Sequence, residues 1–419
     1  MKDSFVFHTD RARLLLLSIG FAASAFAAAV MSVAYSYLTF QLSGKASIAV
    51  VASAFLVLPL AILVKASGAV LRHRSPKVVL VTTNIVTIAS YLAGTIAIMS
   101  GFISVPFLLL MALIAGVGQA FIYPAWMVLL TQTAPRDRME EVNAGLSAWW
   151  AAGAVVGVLA GGLIQGHLGP AWLFIVSSVA LIPMVLAVMI VRPTPPTDSQ
   201  TPQDEPAKGR APTIRQTLSY VRRTPVLWSG LVLLVVNELV GYSLLSIMPA
   251  LANEVDPTPE TYALLMASFY LGLFFVDIWM HRVHRHRSLR SLIVIAIVAL
   301  FTLLVLSPLL GQVPDGLFKL VMFMIILSPI GLMVVVIETF YESAQQVGGA
   351  DEGHVPYVLA LFSAVGAIIG TAGGFALAAV IDISSVFIAL LIAGLVWGAS
   401  IIYIRWARHL DHVDSIATE

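Results

Sequence analysis

The chain has 419 residues, of which 59% are hydrophobic and 11% are charged. Because soluble globular domains carry about 25% charged residues, this composition excludes a soluble protein and indicates an integral membrane protein. The net charge is +1 and there is no cysteine, which excludes disulfides, thiol catalysis and cysteine-based metal or iron–sulfur sites.

Long apolar runs follow one another from the N-terminus to the C-terminus. A helix needs about 20 apolar residues to cross some 30 Å of hydrocarbon. The first run is too long for the apolar region of a cleavable signal, so we expect it to be the first spanning helix. The sequence predicts an all-α membrane protein with twelve transmembrane helices, near residues 12–40, 46–71, 78–98, 106–131, 143–166, 170–191, 225–250, 261–280, 291–310, 317–343, 356–381 and 384–404.

Two short motifs recur at one offset. Arg72-His73-Arg74-Ser75 returns 213 residues later as Arg285-His286-Arg287-Ser288. Gly153-Ala154-Val155-Val156-Gly157 returns at the same offset as Gly366-Ala367-Ile368-Ile369-Gly370. Unrelated segments that share one offset indicate an internal duplication, so we expect two six-helix pseudo-repeats.

The predicted domains are an N-terminal bundle over residues 1–191, a cytoplasmic linker over 192–224 and a C-terminal bundle over 225–419. The linker is polar and rich in proline. Its last part, from Ile214 to Arg223, is either a short basic amphipathic helix at the membrane surface or solvated chain.

Lysine and arginine are distributed unevenly among the predicted loops. With the N-terminus in the cytoplasm, twenty of the 23 basic residues fall inside, and only Lys45 and Lys319 fall outside. The positive-inside rule therefore predicts that both termini are cytoplasmic.

Several segments carry a family resemblance. Residues 38–47 with 55–60 resemble the first external loop and second helix of the siderophore and drug exporter branch of the major facilitator superfamily, and Tyr123-Pro124-Ala125-Trp126 with Pro135-Arg136-Asp137-Arg138 and Asn143 resembles its fourth helix and following loop. This branch holds enterobactin-exporter-like proteins and the third drug:proton antiporter group. The resemblance implies the major facilitator fold, a bacterial inner-membrane location, and proton-coupled export of a siderophore or drug by alternating access.

Two family motifs are incomplete. The superfamily's loop between helices two and three normally carries an aspartate, but this sequence, anchored on Gly68, has no acidic residue there. The antiporter pattern of the fifth helix keeps Gly153, Gly157, Gly161 and Gly162, with Val158 where the family has proline.

An ionisable group at membrane depth usually marks a pathway or a proton relay. Glu238 is the foremost candidate, because it lies midway along the seventh run beside Asn237, with Tyr242 one turn further on. We expect it to load and release a proton during transport or to contact substrate. A carboxyl group that is hydrogen-bonded within the bundle for structure is the alternative.

Asp277 and Glu338 are the other two proton-coupling candidates. Asp277 lies at nearly the same place in the second repeat as Lys65 in the first. These opposite charges either form a gate or extend to the cytoplasmic interface. Glu338 lies one turn from Glu342, and an interfacial pair facing the basic loops is the alternative for both.

Aromatic and amide side chains provide a candidate substrate site, because aromatic rings stack on planar solutes and bind cations by their faces. Interface anchoring or packing is the alternative for each residue. The candidates are Tyr35, Gln119, Tyr123, Trp126, Trp149, Asn237, Tyr242 and Tyr270.

The gating candidates are of two kinds: basic residues near the cytoplasmic side, and glycines spaced four apart. Such glycines let helices approach closely and slide, although plain packing explains them equally well. The gating candidates are Lys65, Arg72, Arg285, Gly153, Gly157, Gly366 and Gly370.

Other function classes are disfavoured. The histidines of the 281–287 run lie among arginines that repel a metal ion, so we expect contact with anionic lipid there. No phosphate-binding Gly-x-x-x-x-Gly-Lys-Ser/Thr motif and no catalytic constellation occur. We expect no enzyme activity, no cofactor, no metal and no nucleic-acid partner.

The expected protein is a monomer in a lipid bilayer that handles a small-molecule substrate and protons. Two alternatives remain: an importer of a siderophore or other metabolite with the same fold, and a transport-inactive sensor or assembly partner.

Overall fold

Helices account for nearly all of the residues that the computed structural model describes, which are residues 2–133, 139–191, 213–275, 289–348 and 355–406. The helices of the first half are α1 (Lys2–Ser32), α2 (Thr39–Ser43), α3 (Ala46–His73), α4 (Pro76–Met99), α5 (Val105–Thr133), α6 (Met139–His167), α7 (Pro170–Ala180) and α8 (Ile182–Ile190). A π-helical turn, Val33–Leu38, joins α1 to α2.

The second half repeats this pattern of long apolar helices. A second π-helical turn, Asn237–Tyr242, joins α10 to α11, and a 3₁₀ segment, Ser307–Gln312, follows α13. Its helices are α9 (Ile214–Arg223), α10 (Pro225–Val236), α11 (Ser243–Val255), α12 (Pro259–Phe274), α13 (Leu289–Leu306), α14 (Leu317–Gly348), α15 (Val355–Ile383) and α16 (Val386–Trp406).

The expectation of an all-α membrane protein is confirmed. Within the described ranges, ten helices are long and apolar enough to cross a membrane, and Val386–Ser400 is a shorter apolar helix. The eighth predicted run begins in α12 and continues beyond residue 275, outside the described residues. Helices suit this solvent because they satisfy their own backbone hydrogen bonds.

Prolines and a serine cap mark where several of the spans begin. Pro76, Pro170 and Pro225 each occupy the first turn of a helix, where a missing N–H costs nothing. Ser75 caps α4 by accepting a hydrogen bond from the backbone N–H of Val78 at 3.3 Å. Each half therefore has abrupt helix starts, which keeps the connecting loops short.

The chain forms two compact units. Unit 1 comprises Met1–Ser43 and Val51–Glu205, and unit 2 comprises Gly44–Val50 and Pro206–Glu419. Within unit 2, Asp382 at the end of α15 accepts a hydrogen bond from the backbone N–H of Ala46 at 2.8 Å.

In unit 1, helix α6 packs closely against helix α1 at the glycines of α6. A Cβ atom added at Gly153 would lie 2.3 Å from the carbonyl oxygen of Ala22, and one at Gly157 would lie 2.5 Å from that of Phe26. Both neighbours are backbone atoms, so the two helices are in direct main-chain contact. Such contact is how small residues hold transmembrane helices together without a hydrophobic driving force.

The segment from Ile214 to Arg223, for which two alternatives were open, is the helix α9. It starts with a capping box, in which Thr213 accepts from the N–H of Gln216 and the amide oxygen of Gln216 accepts from the N–H of Thr213. Reciprocal capping satisfies two donors that a helix otherwise leaves unpaired. The local sequence thus defines where α9 begins.

Candidate functional site

The foremost ionisable candidate lies on an irregular turn. Glu238 occupies the π-helical turn Asn237–Tyr242, which interrupts the membrane span Pro225–Val255. Its side chain is half-buried. Single π-helical turns inside α-helices occur frequently at functional sites, and this one places a carboxyl group within the membrane-spanning part of unit 2.

The glycines of α15 make room for this carboxyl group. A Cβ atom added at Gly370 would lie 2.8 Å from the Oε2 atom of Glu238, and one at Gly366 would lie 3.6 Å from its Cδ atom. At Gly373 the nearest atom would be the carbonyl oxygen of Leu239, at 2.2 Å. Gly366 and Gly370, which the sequence assigned to packing or gating, therefore also leave space for the Glu238 side chain.

Side-chain hydrogen bonds hold the π-helical turn against its neighbours. The Ser243 hydroxyl lies 2.8 Å from the carbonyl oxygen of Glu238 and 3.0 Å from that of Gly370. Buried Asn237 donates from Nδ2 to the carbonyl oxygen of Val334 at 3.2 Å. These bonds link the turn to both α15 and α14, which leaves the backbone at Glu238 little freedom to drift.

A second carboxyl group belongs to the same cluster. The Tyr242 hydroxyl, on the same π-helical turn as Glu238, donates to Oε2 of Glu338 on α14. Buried Tyr341 lies three residues after Glu338 on α14. The sequence candidates Glu238, Tyr242 and Glu338 are therefore brought together, and we name them, with Tyr341, the carboxyl cluster.

Among the basic residues whose side chains the structure describes, none forms an ion pair with Glu238 or Glu338. Removing a carboxylate from water favours its neutral form unless a cation compensates it. Two neighbouring carboxyl groups at membrane depth make simultaneous ionisation still more costly. The carboxyl cluster can therefore take up a proton, and it can bind a cation.

In unit 1, three of the predicted substrate residues have accessible side chains. Gln119 and Tyr123 lie one turn apart on α5, and both are exposed, Tyr123 at 54%. Trp149 on α6 is also exposed. An amide such as that of Gln119 is costly to place against lipid, so this face of α5 is a candidate for contact with water or substrate.

Two other predicted substrate residues lie in the packed interior of unit 1. Tyr35 is 1% exposed and packs edge-on against Phe174, and Trp126 is 3% exposed and stacks on Phe21 with ring centroids 4.8 Å apart. This placement favours the packing alternative for both residues. In unit 2, Tyr270 is partly buried beside Phe269 on α12.

The remaining gating and coupling candidates can be placed only by position. Lys65 and Arg72 lie on α3, in its cytoplasmic half by the predicted topology. Asp277 and Arg285 lie outside the described residues, so their proposed pairing and gating roles stay predictions.

Sequence reasoning missed two members of the site. Ser243 follows Tyr242 directly, and Tyr341 lies between two glutamates of α14, so both adjoin residues that were singled out. A hydroxyl next to a candidate coupling residue was the available signal for each. The π-helical turn itself has no sequence signature of comparable clarity.

Comparison with solved structures finds the same fold in two transporters. A bacterial homologue of the human lysosomal transporter Spinster, in an inward-facing and unoccupied conformation, is 15% identical with a TM-score of 0.61, covering 97% of this chain and 96% of that one. The nucleoside transporter NupG is 14% identical with a TM-score of 0.63, covering 97% of this chain and 99% of that one.

Comparison with individual curated proteins by sequence finds no match. The family model described as Major Facilitator Superfamily, by contrast, matches residues 17–350, which is most of the chain. The chain therefore belongs to the Major Facilitator Superfamily of membrane transporters.

Proposed function

We propose that this multi-pass transporter moves a small organic solute in exchange for protons, and that the carboxyl cluster is its proton site. The observation that carries the proposal is that Tyr242, on the π-helical turn of Glu238, donates a hydrogen bond to Glu338 of α14, with no ion pair to either carboxyl group from the basic side chains that the structure describes. A charged carboxylate at the centre of a membrane helix costs about 2.5–3.5 kcal/mol on insertion scales. Protonation of the carboxylate removes that cost, and release of the proton restores it.

Glu238 is the primary carrier in this proposal, because it lies on the π-helical turn and faces the glycines of α15. Protonation removes a charge from between two helices, which changes the free energy of their contact. Glu338 is the second carboxyl group of the proposed site, and it accepts a hydrogen bond from the Tyr242 hydroxyl. Asp277 is a further candidate on sequence grounds alone.

The solute is a siderophore or drug and the direction is export, as the family resemblance of the first half implies. The proposed substrate contacts are the sequence candidates Gln119, Tyr123, Trp149, Tyr242 and Tyr270. Their rings suit a partly aromatic solute. The proposed location is the bacterial cytoplasmic membrane with both termini in the cytoplasm, as the distribution of lysine and arginine predicts.

The test is gradient-driven flux in proteoliposomes, with ethidium and a catecholate siderophore as probes. We expect accumulation that a protonophore abolishes, and at least about a tenfold loss of accumulation in Glu238→Gln, since an amide cannot carry the proton. Exchange of labelled for unlabelled probe without a gradient should persist in Glu238→Gln, because exchange needs binding but no net proton movement.

The matched control is Glu254→Gln, the same substitution at an exposed position near the end of α11, remote in sequence from Glu238. It should leave accumulation unchanged. If Glu238→Gln accumulated the probe as well as the unaltered chain does, Glu238 would have only a structural role. The same substitution would then be tested at Glu338 and as Asp277→Asn. If no probe moved in any preparation, the transport-inactive alternative would be favoured.

A further inference from the structure

Helix α9 is held at the membrane surface by its connection to the next span. One residue, Thr224, separates its last residue from Pro225, the first residue of the span Pro225–Val255. The backbone N–H of Thr224 still bonds to the carbonyl oxygen of Tyr220 at 3.1 Å. With so short a connection, the C-terminal end of α9 lies close to the level at which this span begins.

One face of α9 is fixed to unit 2. Thr217 and Val221, four residues apart, are both buried. Val221 packs in an apolar cluster with Leu227 on α10 and with Val358 and Phe362 on α15. This packing fixes which side of α9 points away from the protein.

The adjoining side of α9 is apolar but uncovered. Ile214 and Leu218 are 71% and 41% exposed. At about 100° per residue along a helix, they form a strip beside the buried face. Exposed leucine and isoleucine on a surface helix indicate an apolar environment that the protein itself does not provide.

A basic strip follows the apolar one. Arg215, Arg222 and Arg223 are exposed, and none forms an ion pair among the described residues. No acidic residue occurs between Ile214 and Arg223. A helix with apolar and basic strips side by side suits a bilayer surface, where apolar side chains enter the acyl region and arginines meet phosphate groups.

We propose that α9 is a binding surface for anionic phospholipids of the leaflet that it faces. Ile214 and Leu218 insert at the boundary of the acyl chains, and Arg215, Arg222 and Arg223 gather anionic headgroups around the entry to the Pro225–Val255 span. The lipids then form a shell at one end of the span that carries Glu238. Charge complementarity favours lipid over a protein partner, because Arg215 and Arg222 lie directly beside the exposed apolar strip, and Arg223 is exposed further round the helix.

The experiment uses the absence of cysteine from the chain, which makes any introduced cysteine a unique label site. Exposed Ser219, on the polar side of α9, is changed to cysteine and labelled with bimane. The protein is reconstituted into vesicles of seven parts phosphatidylcholine to three parts phosphatidylglycerol. Brominated chains, which quench the label at short range, are placed on all of the phosphatidylglycerol or on an equal amount of phosphatidylcholine.

Random mixing predicts equal quenching in the two preparations. We expect brominated phosphatidylglycerol to quench about threefold more, because each arginine near the surface enriches anionic lipid. The triple variant Arg215→Gln, Arg222→Gln and Arg223→Gln should lower the ratio to about one, whereas the three Arg→Lys changes should preserve it. Salt at about 0.5 M should also lower the ratio in the unaltered chain, since it screens exposed charges.

The matched control places the same label at Ser384, an exposed residue beyond the opposite end of α15, where we expect a ratio of about one. A ratio of one at Ser219 would overturn the proposal, as would a raised ratio that the three Arg→Gln changes leave intact. The readout requires no transported solute, so it is independent of the proposed function.

Discussion

Lys77 illustrates how one basic residue completes a helix end. Its Nζ atom donates to the carbonyl oxygens of Met189, at 2.5 Å, and Val191, at 3.1 Å, where α8 ends. The last carbonyl groups of a helix have no hydrogen-bond partner within the helix. A cation at this end also interacts favourably with the helix dipole, whose C-terminal end is negative. Lys77, in the first turn of α4, thus caps the C-terminal end of α8.

We expect Lys77→Met to lower the free energy of unfolding by about 1 kcal/mol, because the carbonyl groups lose their charged donor while the apolar stem of the side chain is kept. The measurement is thermal unfolding of the purified protein in one detergent. Lys77→Arg, which keeps a charged donor, should recover most of the loss. Equal stability of Lys77→Met and the unaltered chain would mean that water satisfies these carbonyl groups as well as lysine does.

Individual site residues were only partly predictable from the sequence. Glu238, Tyr242 and Glu338 could be singled out in the sequence because polar groups are rare and costly in an apolar run. Tyr35 and Tyr123 were indistinguishable by the same criterion, yet the first is buried in unit 1 and the second is exposed. Hydropathy is high on every side of these helices, so it cannot separate a face toward protein from a face toward lipid or a cavity.

At the scale of elements, the contact between α6 and α1 predicts opposite outcomes for one substitution at two positions. Gly153→Ala places a methyl group 2.3 Å from the backbone oxygen of Ala22, which cannot move without displacing α1. We expect it to lower the free energy of unfolding by about 1–3 kcal/mol, as overpacking does. Denaturant titration of the reconstituted protein measures the change.

Gly145 on the same helix provides the matched control. No atom lies within 4 Å of an added Cβ there, so Gly145→Ala should be neutral or raise the free energy of unfolding by up to about 1 kcal/mol through better helix propensity. If the two variants were equally stable, the close contact of α6 with α1 would not contribute to folding. A loss confined to Gly153→Ala would favour the packing role over a sliding one.

The repeat predicted where glycines lie but not what they meet. Gly153 and Gly366 are equivalent by the 213-residue offset, yet the first faces backbone atoms of α1 and the second faces the Glu238 side chain. The π-helical turn Asn237–Tyr242 brings Glu238 opposite the glycines of α15. Because such a turn follows from packing rather than from a local motif, the sequence alone could not distinguish the two glycine strips.

At the scale of the whole molecule, the sequence predicts the spans better than the site. Apolar length and the positions of lysine and arginine are summed over many residues, so single misplaced residues alter neither prediction. A site depends on a few side chains whose directions are set by neighbours far away in the sequence. The membrane topology is therefore the whole-molecule property that the sequence predicts most firmly, and it is directly testable.

Single cysteines at Ser199, in the linker, and at Ser384, between α15 and α16, should report opposite sides of the membrane. In intact bacterial cells we expect an impermeant maleimide to label Ser384→Cys and to leave Ser199→Cys unlabelled, because the positive-inside rule places the linker in the cytoplasm. Permeabilised cells should label both, which controls for reactivity. Labelling of Ser199→Cys alone in intact cells would invert the topology and, with it, place α9 and its arginines on the outer leaflet.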